Sequence, residues 1–157
     1  MNNSSVILID DICVDHASFL QKCLQIGISD CDVHLISVIS SEYETQLSPT
    51  IDAPLLQPRK NDALILENLN NLSNSSSFLN SLGITSDAKL LIGNEVDQII
   101  LHLINTNSRR LFINEKSSKD WFDKILNSTL EKKIFKRMKI HFPSSELNHL
   151  LTIHSIN

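Results

Sequence analysis

Two adjacent carboxylates, Asp10 and Asp11, close an unbroken aliphatic run, Val6-Ile7-Leu8-Ile9, and a third, Glu67, closes a second run, Ala63-Leu64-Ile65-Leu66. Uninterrupted runs of this kind read as strands buried on both faces of a parallel sheet, and such sheets form their sites outside the carboxyl ends of the strands. Carboxylates gathered there repel, so either a cation sits among them or one takes a proton. The remaining inventory is thin. His16, His34, His102, His141, His149 and His154 form no HxxxH pair and no zinc spacing, and are expected at the surface or at a sheet edge. With only 3 glycines there is no Walker, GxGxxG or GxSxG loop to cradle a phosphate or present a serine. Cys13, Cys23 and Cys31 lack CxxC spacing, and the first two fall in an amphipathic stretch where a thiol packs as a small hydrophobe. Trp121 reads as a helix anchor rather than a stacking platform. No nucleophile stands out, and the chain is not expected to be an enzyme.

The elements that must position these residues belong to a chain of 157 residues, 41% hydrophobic and 20% charged, the make-up of one globular unit with an aliphatic core. A net charge of -4 argues against a strongly basic nucleic-acid binder. An odd set of unpaired cysteines suits a reducing cytoplasm, and the run Val6 to Asp11 is too short for a signal sequence or a membrane span. Apolar runs alternate with amphipathic stretches, as in repeated strand-helix units. Asp15 is placed to cap a first helix with Phe19, Leu20, Cys23, Leu24 and Ile26 on one face, and Gly27 supplies its left-handed stop. Val33 to Ile39 reads as a second strand, with His34 and Ser37 suggesting a sheet edge.

Pro49, Pro54 and Pro58 predict a surface loop over residues 41–61. Ala63 to Leu66 is then a third strand, Asn68 to Ser77 a polar loop, and Phe78, Leu79 and Leu82 a brief helix closed by Gly83. Lys89 to Ile92 reads as a fourth strand ending at Gly93. Val96, Ile99, Ile100, Leu103 and Ile104 make residues 95–106 the clearest amphipathic helix, and Leu111 to Ile113 a fifth strand. A last helical region begins near Ser118, with Trp121, Phe122, Ile125 and Leu126 on one face, and continues or restarts through Arg137. Beyond it the tail, 138–157, reads two ways: Pro143-Ser144-Ser145-Glu146 resembles a helix start, while Leu150 to Ile153 reads as a strand.

Five strand-helix units with acidic residues ending strands one and three resemble the receiver domain of bacterial response regulators. Asp10-Asp11 stands where receivers carry an acidic pair, and Phe19, Cys23 and Gly27 follow the LxxxLxxxG spacing. Asp62 to Glu67 looks like the DLILLD segment, Leu111 to Asn114 like YLVK, and Trp121, Phe122 and Ile125 fill the apolar positions of the next helix. The resemblance covers residues 5–130 and implies a flavodoxin-like α/β fold. Its five-stranded parallel sheet has order 2-1-3-4-5, with helices on both faces and an extra C-terminal helix. Residues 1–130 would be the receiver, and 131–157 a helical extension or the approach to an absent output domain.

In such a pocket Glu67 replaces the phosphoacceptor, Gly93 or Asn94 the hydroxyl residue and Asn114 the lysine, so phosphotransfer is lost. Asp10, Asp11 and Glu67 would still converge, as a weak magnesium site at most; no cofactor is expected beyond that magnesium or a cyclic di-GMP. Among degenerate receivers the chain is similar to LuxR-type biofilm regulators of the CsgD and VpsT kind. Ile134-Phe135-Lys136-Arg137 aligns with their W-[FLM]-[ST]-R motif for cyclic di-GMP and matches it at two positions. The implied function is a cytoplasmic, phosphorylation-independent regulator that forms a homodimer through Leu101 to Ile104 and Ile134-Phe135. It would touch DNA only through an output domain and no membrane.

The rival resemblance is to the universal stress family, which also opens with a strand ending in Asp. Asn114, Ser117, Asn127 and Ser128 have the spacing of its G-2x-G-9x-G-S signature, with every glycine replaced. Backbone approach to a triphosphate would then be obstructed. Residues 62–67 separate the two: a strand in a receiver, part of a helix in a stress protein. The run ending in Asn/Ser turns favours the strand.

Overall fold

The computed structural model describes residues 4–9, 15–40, 53–114 and 129–156, except for the side chains of 53–61. The strands are β1 (Ser4–Leu8), β2 (Asp32–Ile39), β3 (Ser86–Ile92), β4 (Arg110–Asn114) and β5 (Thr152–Ile156). Between them run helices α1 (His16–Ile26), α2 (Ala53–Ser81), α3 (Glu95–Asn105), α4 (Leu130–His141) and the short α5 (Leu147–Leu150). Every strand pair is parallel. The sheet order is β3-β2-β1-β4-β5.

This order confirms a five-stranded parallel α/β sheet and corrects its expected arrangement of 2-1-3-4-5. The reason lies in residues 62–67, which are helical. A four-residue apolar run fits either element, and neighbours decide. Here Asn68, Leu72, Ser75 and Leu79 recur at helical spacing and are all buried. Asn68 is held by two bonds: its Nδ2 donates to the Leu64 carbonyl (2.8 Å) and its Oδ1 accepts from the Ser37 hydroxyl (2.5 Å). A polar run that looks like a loop is thus the sheet-facing side of a helix about 43 Å long. Pro54 falls in its first turn, where the missing N–H has no partner to lose, and Pro58 forfeits one bond.

Helix ends follow local chemistry. The Asp15 carboxylate accepts from Ser18 N–H (2.9 Å), and Gly27 stops α1 at φ 99°. At the end of α2, Ile84 N–H donates to the Leu79 carbonyl and Gly83 N–H to that of Asn80 (3.0 Å each), a Schellman stop whose Leu79 and Ile84 share the core. The Asn94 side chain accepts from Asp97 N–H (3.1 Å) to begin α3, and the Thr129 hydroxyl accepts from Lys132 N–H (3.3 Å) to begin α4.

Alternation along the strands divides the core between the two faces. Ile7, Ile9, Leu35 and Phe112 meet Phe19, Leu20 and Cys23 of α1 and Leu72 and Leu79 of α2. Val6, Leu8, Ile36, Leu111 and Ile113 meet Ile99, Ile100 and Leu103 of α3 and Ile134 and Met138 of α4. From β1 the chain steps outward through β2 to β3, then α3 carries it back to β4 and on to β5. The reversal sits between β1 and β4. β2 is interior, not an edge, and its Ser37 is fully buried. Residues 152–156, which the sequence put in a C-terminal extension, lie in the sheet itself: β5 pairs with β4 in register from Arg110↔Thr152 to Asn114↔Ile156.

Candidate functional site

In an open parallel sheet the crevice for a ligand opens at the carboxyl ends of the strands where the order reverses. Here that place is flanked by the ends of β1 and β4, paired from Ser5↔Arg110 to Ile7↔Phe112. Ile9 prolongs β1 by donating its N–H to the Ile36 carbonyl (2.8 Å), so the backbone enters the edge still paired. Asn114 ends β4 half-buried, bringing an amide with both donor and acceptor atoms to the reversal.

The residues expected to form a phosphoryl pocket do not share this place. Glu67 lies on an exposed turn of α2, not at a strand end, so it cannot close a carboxylate triad in the expected way. Gly93 follows β3, the edge strand, with β2 intervening before β1, which is about 10 Å away at ordinary strand spacing. Its role is backbone geometry: φ is 147°, and its N–H donates to the Ile39 carbonyl (2.9 Å) in the turn to α3. Asp10 and Asp11 lie outside the described residues, as do Cys13, Trp121, Phe122 and Ile125. Among the described residues no group of three His, Cys, Asp or Glu side chains is placed to hold a metal ion.

The residues expected to meet cyclic di-GMP or a second copy fall in different surroundings. Ile134 is a fully buried core residue, as is Leu103. Arg137 is engaged in a two-pronged pair with Asp97 of α3, Nε to Oδ1 at 2.8 Å and Nη2 to Oδ2 at 3.0 Å. That pair clamps α4 on α3 and holds the Asp97 carboxyl below its ordinary range, the Arg137 hydrogen bonds being the main cause. Lys136 is exposed, Phe135 is half-buried against the core, and Leu101 is exposed on α3.

Sequence reasoning missed the interior histidines. His102 is buried between α3 and the sheet, edge-to-face with His34 of β2 at a ring separation of 5.8 Å. His34 Nδ1 stands 3.7 Å from the Asp87 carboxylate of β3. Burial pushes His102 down, with His34 and Lys89 adding repulsion and Asp87 opposing. His154 stacks on Phe112 (4.7 Å) at the β4–β5 edge and is pushed down by burial and then by Arg110. The Arg110 guanidinium lies 5.1 Å from the Phe112 ring centre and donates to the Gly27 and Ile26 carbonyls, capping α1. The legible signal was position: His34 alternates with core residues of β2, and His102 lies on the apolar side of residues 95–106. Cys23 does behave as a core residue, its thiol pushed up to about 12 by burial.

No protein-family model and no curated protein matches the sequence. Solved structures do. A universal stress protein in complex with cAMP covers 99% of the chain and is covered over 97% of its own, with TM-score 0.60 and 9% identity. A protein of the universal stress family from Burkholderia pseudomallei gives 0.61 at 11% identity over 96% and 94% of the two chains. The universal stress protein of Archaeoglobus fulgidus in complex with dAMP gives 0.58 at 11% over 99% and 98%. At these identities the likeness is one of fold. With the strand order and the helix over residues 62–67, it overturns the receiver reading and the LuxR-type regulation and biofilm role drawn from it. Among the described residues no helix is long and apolar enough to cross a membrane.

Proposed function

We propose that this chain is a universal-stress-like α/β protein that binds an adenine mononucleotide at the carboxyl edge between β1 and β4 and acts by binding rather than turnover. The observation carrying this reading is the reversal of strand order between β1 and β4, shared in fold with proteins solved with cAMP and dAMP. Where a glycine signature would let the backbone approach a phosphate chain, this sequence has Asn114, Ser117 and Asn127. A side chain at each of these positions, two of which (Ser117 and Asn127) lie outside the described residues, disfavours the close backbone approach that a triphosphate needs, and so favours a mononucleotide with a single phosphate. The Asn114 amide supplies a donor and an acceptor suited to a base or ribose edge.

Calorimetric titration with AMP, dAMP, cAMP and magnesium-ATP tests the reading. The monophosphates are expected to bind with dissociation constants between about 10 μM and 1 mM. ATP should bind no more tightly and release no ADP. Asn114→Ala should weaken the monophosphates about tenfold, one lost hydrogen bond to a partly buried group. Absence of binding by every nucleotide at about ten times the weaker limit contradicts the reading, and so does tight ATP binding with hydrolysis.

A further inference from the structure

The α3 face of the sheet carries titratable groups in a place where a charge has little solvation. His34↔Asp87 and Ile36↔Lys89 are registered pairs of β2 and β3, so His34, Asp87 and Lys89 point to the same face as the core residue Ile36, beneath α3. His102 descends onto them from α3 with only 7% of its surface exposed. His34 Nδ1 and His102 Nε2 are both buried and have no hydrogen-bond partner among the described residues. At His102 a neutral imidazole tolerates this arrangement; an imidazolium does not, since both its nitrogens must donate.

We propose that His102 and His34 form a proton-operated latch that keeps α3 on the β2–β3 half of the sheet at neutral pH and releases it on acidification. Charges facing His102 come from β2, as His34, and from β3, as Lys89 and Asp87. The neighbouring helix α4 presents Arg137 and His141 to Asp97, at the other end of α3. The His34 ring stands 5.8 Å from that of His102, with its Nδ1 3.7 Å from the largely exposed Asp87 carboxylate. A proton on His102 meets the His34 ring, the Lys89 ammonium and an apolar surround, and is accommodated only when α3 lifts and hydrates it. Lifting uncovers Ile99, Ile100 and Leu103, while the Asp97–Arg137 pair keeps α3 tied to α4.

The sign follows from proton linkage. A histidine freed by opening binds its proton near pH 6.5, whereas the buried His102 resists it to lower pH. Through that interval the open form holds more protons, so the opening constant rises as pH falls, by up to about tenfold per pH unit.

Amide hydrogen exchange of the whole chain between about pH 5 and 7.5, corrected for the intrinsic exchange rate, tests the latch. Amides of Ile99 to Leu103 should lose protection with falling pH faster than those of Leu72 to Leu79 in α2, a helix without histidine. His102→Leu should remove the difference, and His34→Gln should narrow its pH span because one repelling charge is gone. Parallel behaviour of α3 and α2 in the unaltered protein overturns the proposal, as does an unchanged α3 dependence in either variant. Should His102→Leu fail to fold, the unaltered protein and His34→Gln decide between these outcomes.

Discussion

The two faces of the sheet are built from the same aliphatic residues but differ in the polar groups they enclose. Under α2 the polar contacts are neutral: the buried Ser37 to Asn68 at 2.5 Å and the part-buried Ser76 with Ser86 at 3.0 Å, with the Ser75 hydroxyl lacking a partner among the described residues; the histidines on this side, His16 and His154, belong to α1 and β5 instead. Under α3 the corresponding space holds His34 and His102, flanked by Asp87 and Lys89. Neutral bonded groups fix geometry at every pH, whereas buried imidazoles make packing depend on protons. The contrast teaches that hydrophobic burial sets how firmly both faces hold, while the enclosed polar chemistry sets the conditions under which they do.

Four perturbations sharpen or break that contrast. The largest effect should come from Leu79→Ala on one face and Leu103→Ala on the other, each fully buried. Both should cost about 2–5 kcal/mol in denaturant unfolding near neutral pH, and a wide gap between them would show that the faces differ in packing as well. Next, Asn68→Ala strands the Ser37 hydroxyl and should cost about 1–3 kcal/mol, by the same amount in mild acid as at neutrality. A strong pH dependence of that cost would break the assignment of neutral contacts under α2.

A smaller effect concerns the histidines themselves. His16, His102 and His154 are all held below their ordinary range chiefly by burial, so stability should fall as pH drops below about 6.5, where the unfolded chain takes up protons first. Each contributes at most about 1.4 kcal/mol per pH unit within its interval, and His102→Leu should flatten the curve by its share. Smallest is Asp97→Asn. Because the Arg137 bonds lower the Asp97 carboxyl, their contribution is present above the unfolded carboxylate value and lost as pH falls through the folded one. The substitution should therefore flatten only the acid limb of an unfolding series below about pH 4.

Much of the fold was legible because its signals are local. The β1 run, the Asp15 cap, the Gly27 stop, the amphipathic helix over residues 95–106 and the strand before Asn114 all follow from periodicity and capping. The helix over residues 53–81 is not legible in the sequence, because proline, asparagine and serine carry strong local preferences for turns, which burial of Asn68, Leu72, Ser75 and Leu79 overrides. Taking part of it as a strand moves the sheet order from 3-2-1-4-5 to 2-1-3-4-5. β5 was masked by the opposite ambiguity, since Leu150-Leu151-Thr152-Ile153 straddles the end of α5 and the start of the strand. Of the site, Asn114 was legible as a strand end. The pairing of His34 with His102 was not, because 68 residues of sequence separate groups that only the β3-α3 return brings together.

The most direct test of the account is the mapping of amide chemical shifts as AMP is added to the isotope-labelled chain. The account predicts that the shifts concentrate at Leu8, Ile9, Ile113 and Asn114, beside the reversal, with the opposite ends of β1 and β4 unmoved. Shifts centred on the β3 edge or on the α4 surface, or none at saturating nucleotide, would contradict it.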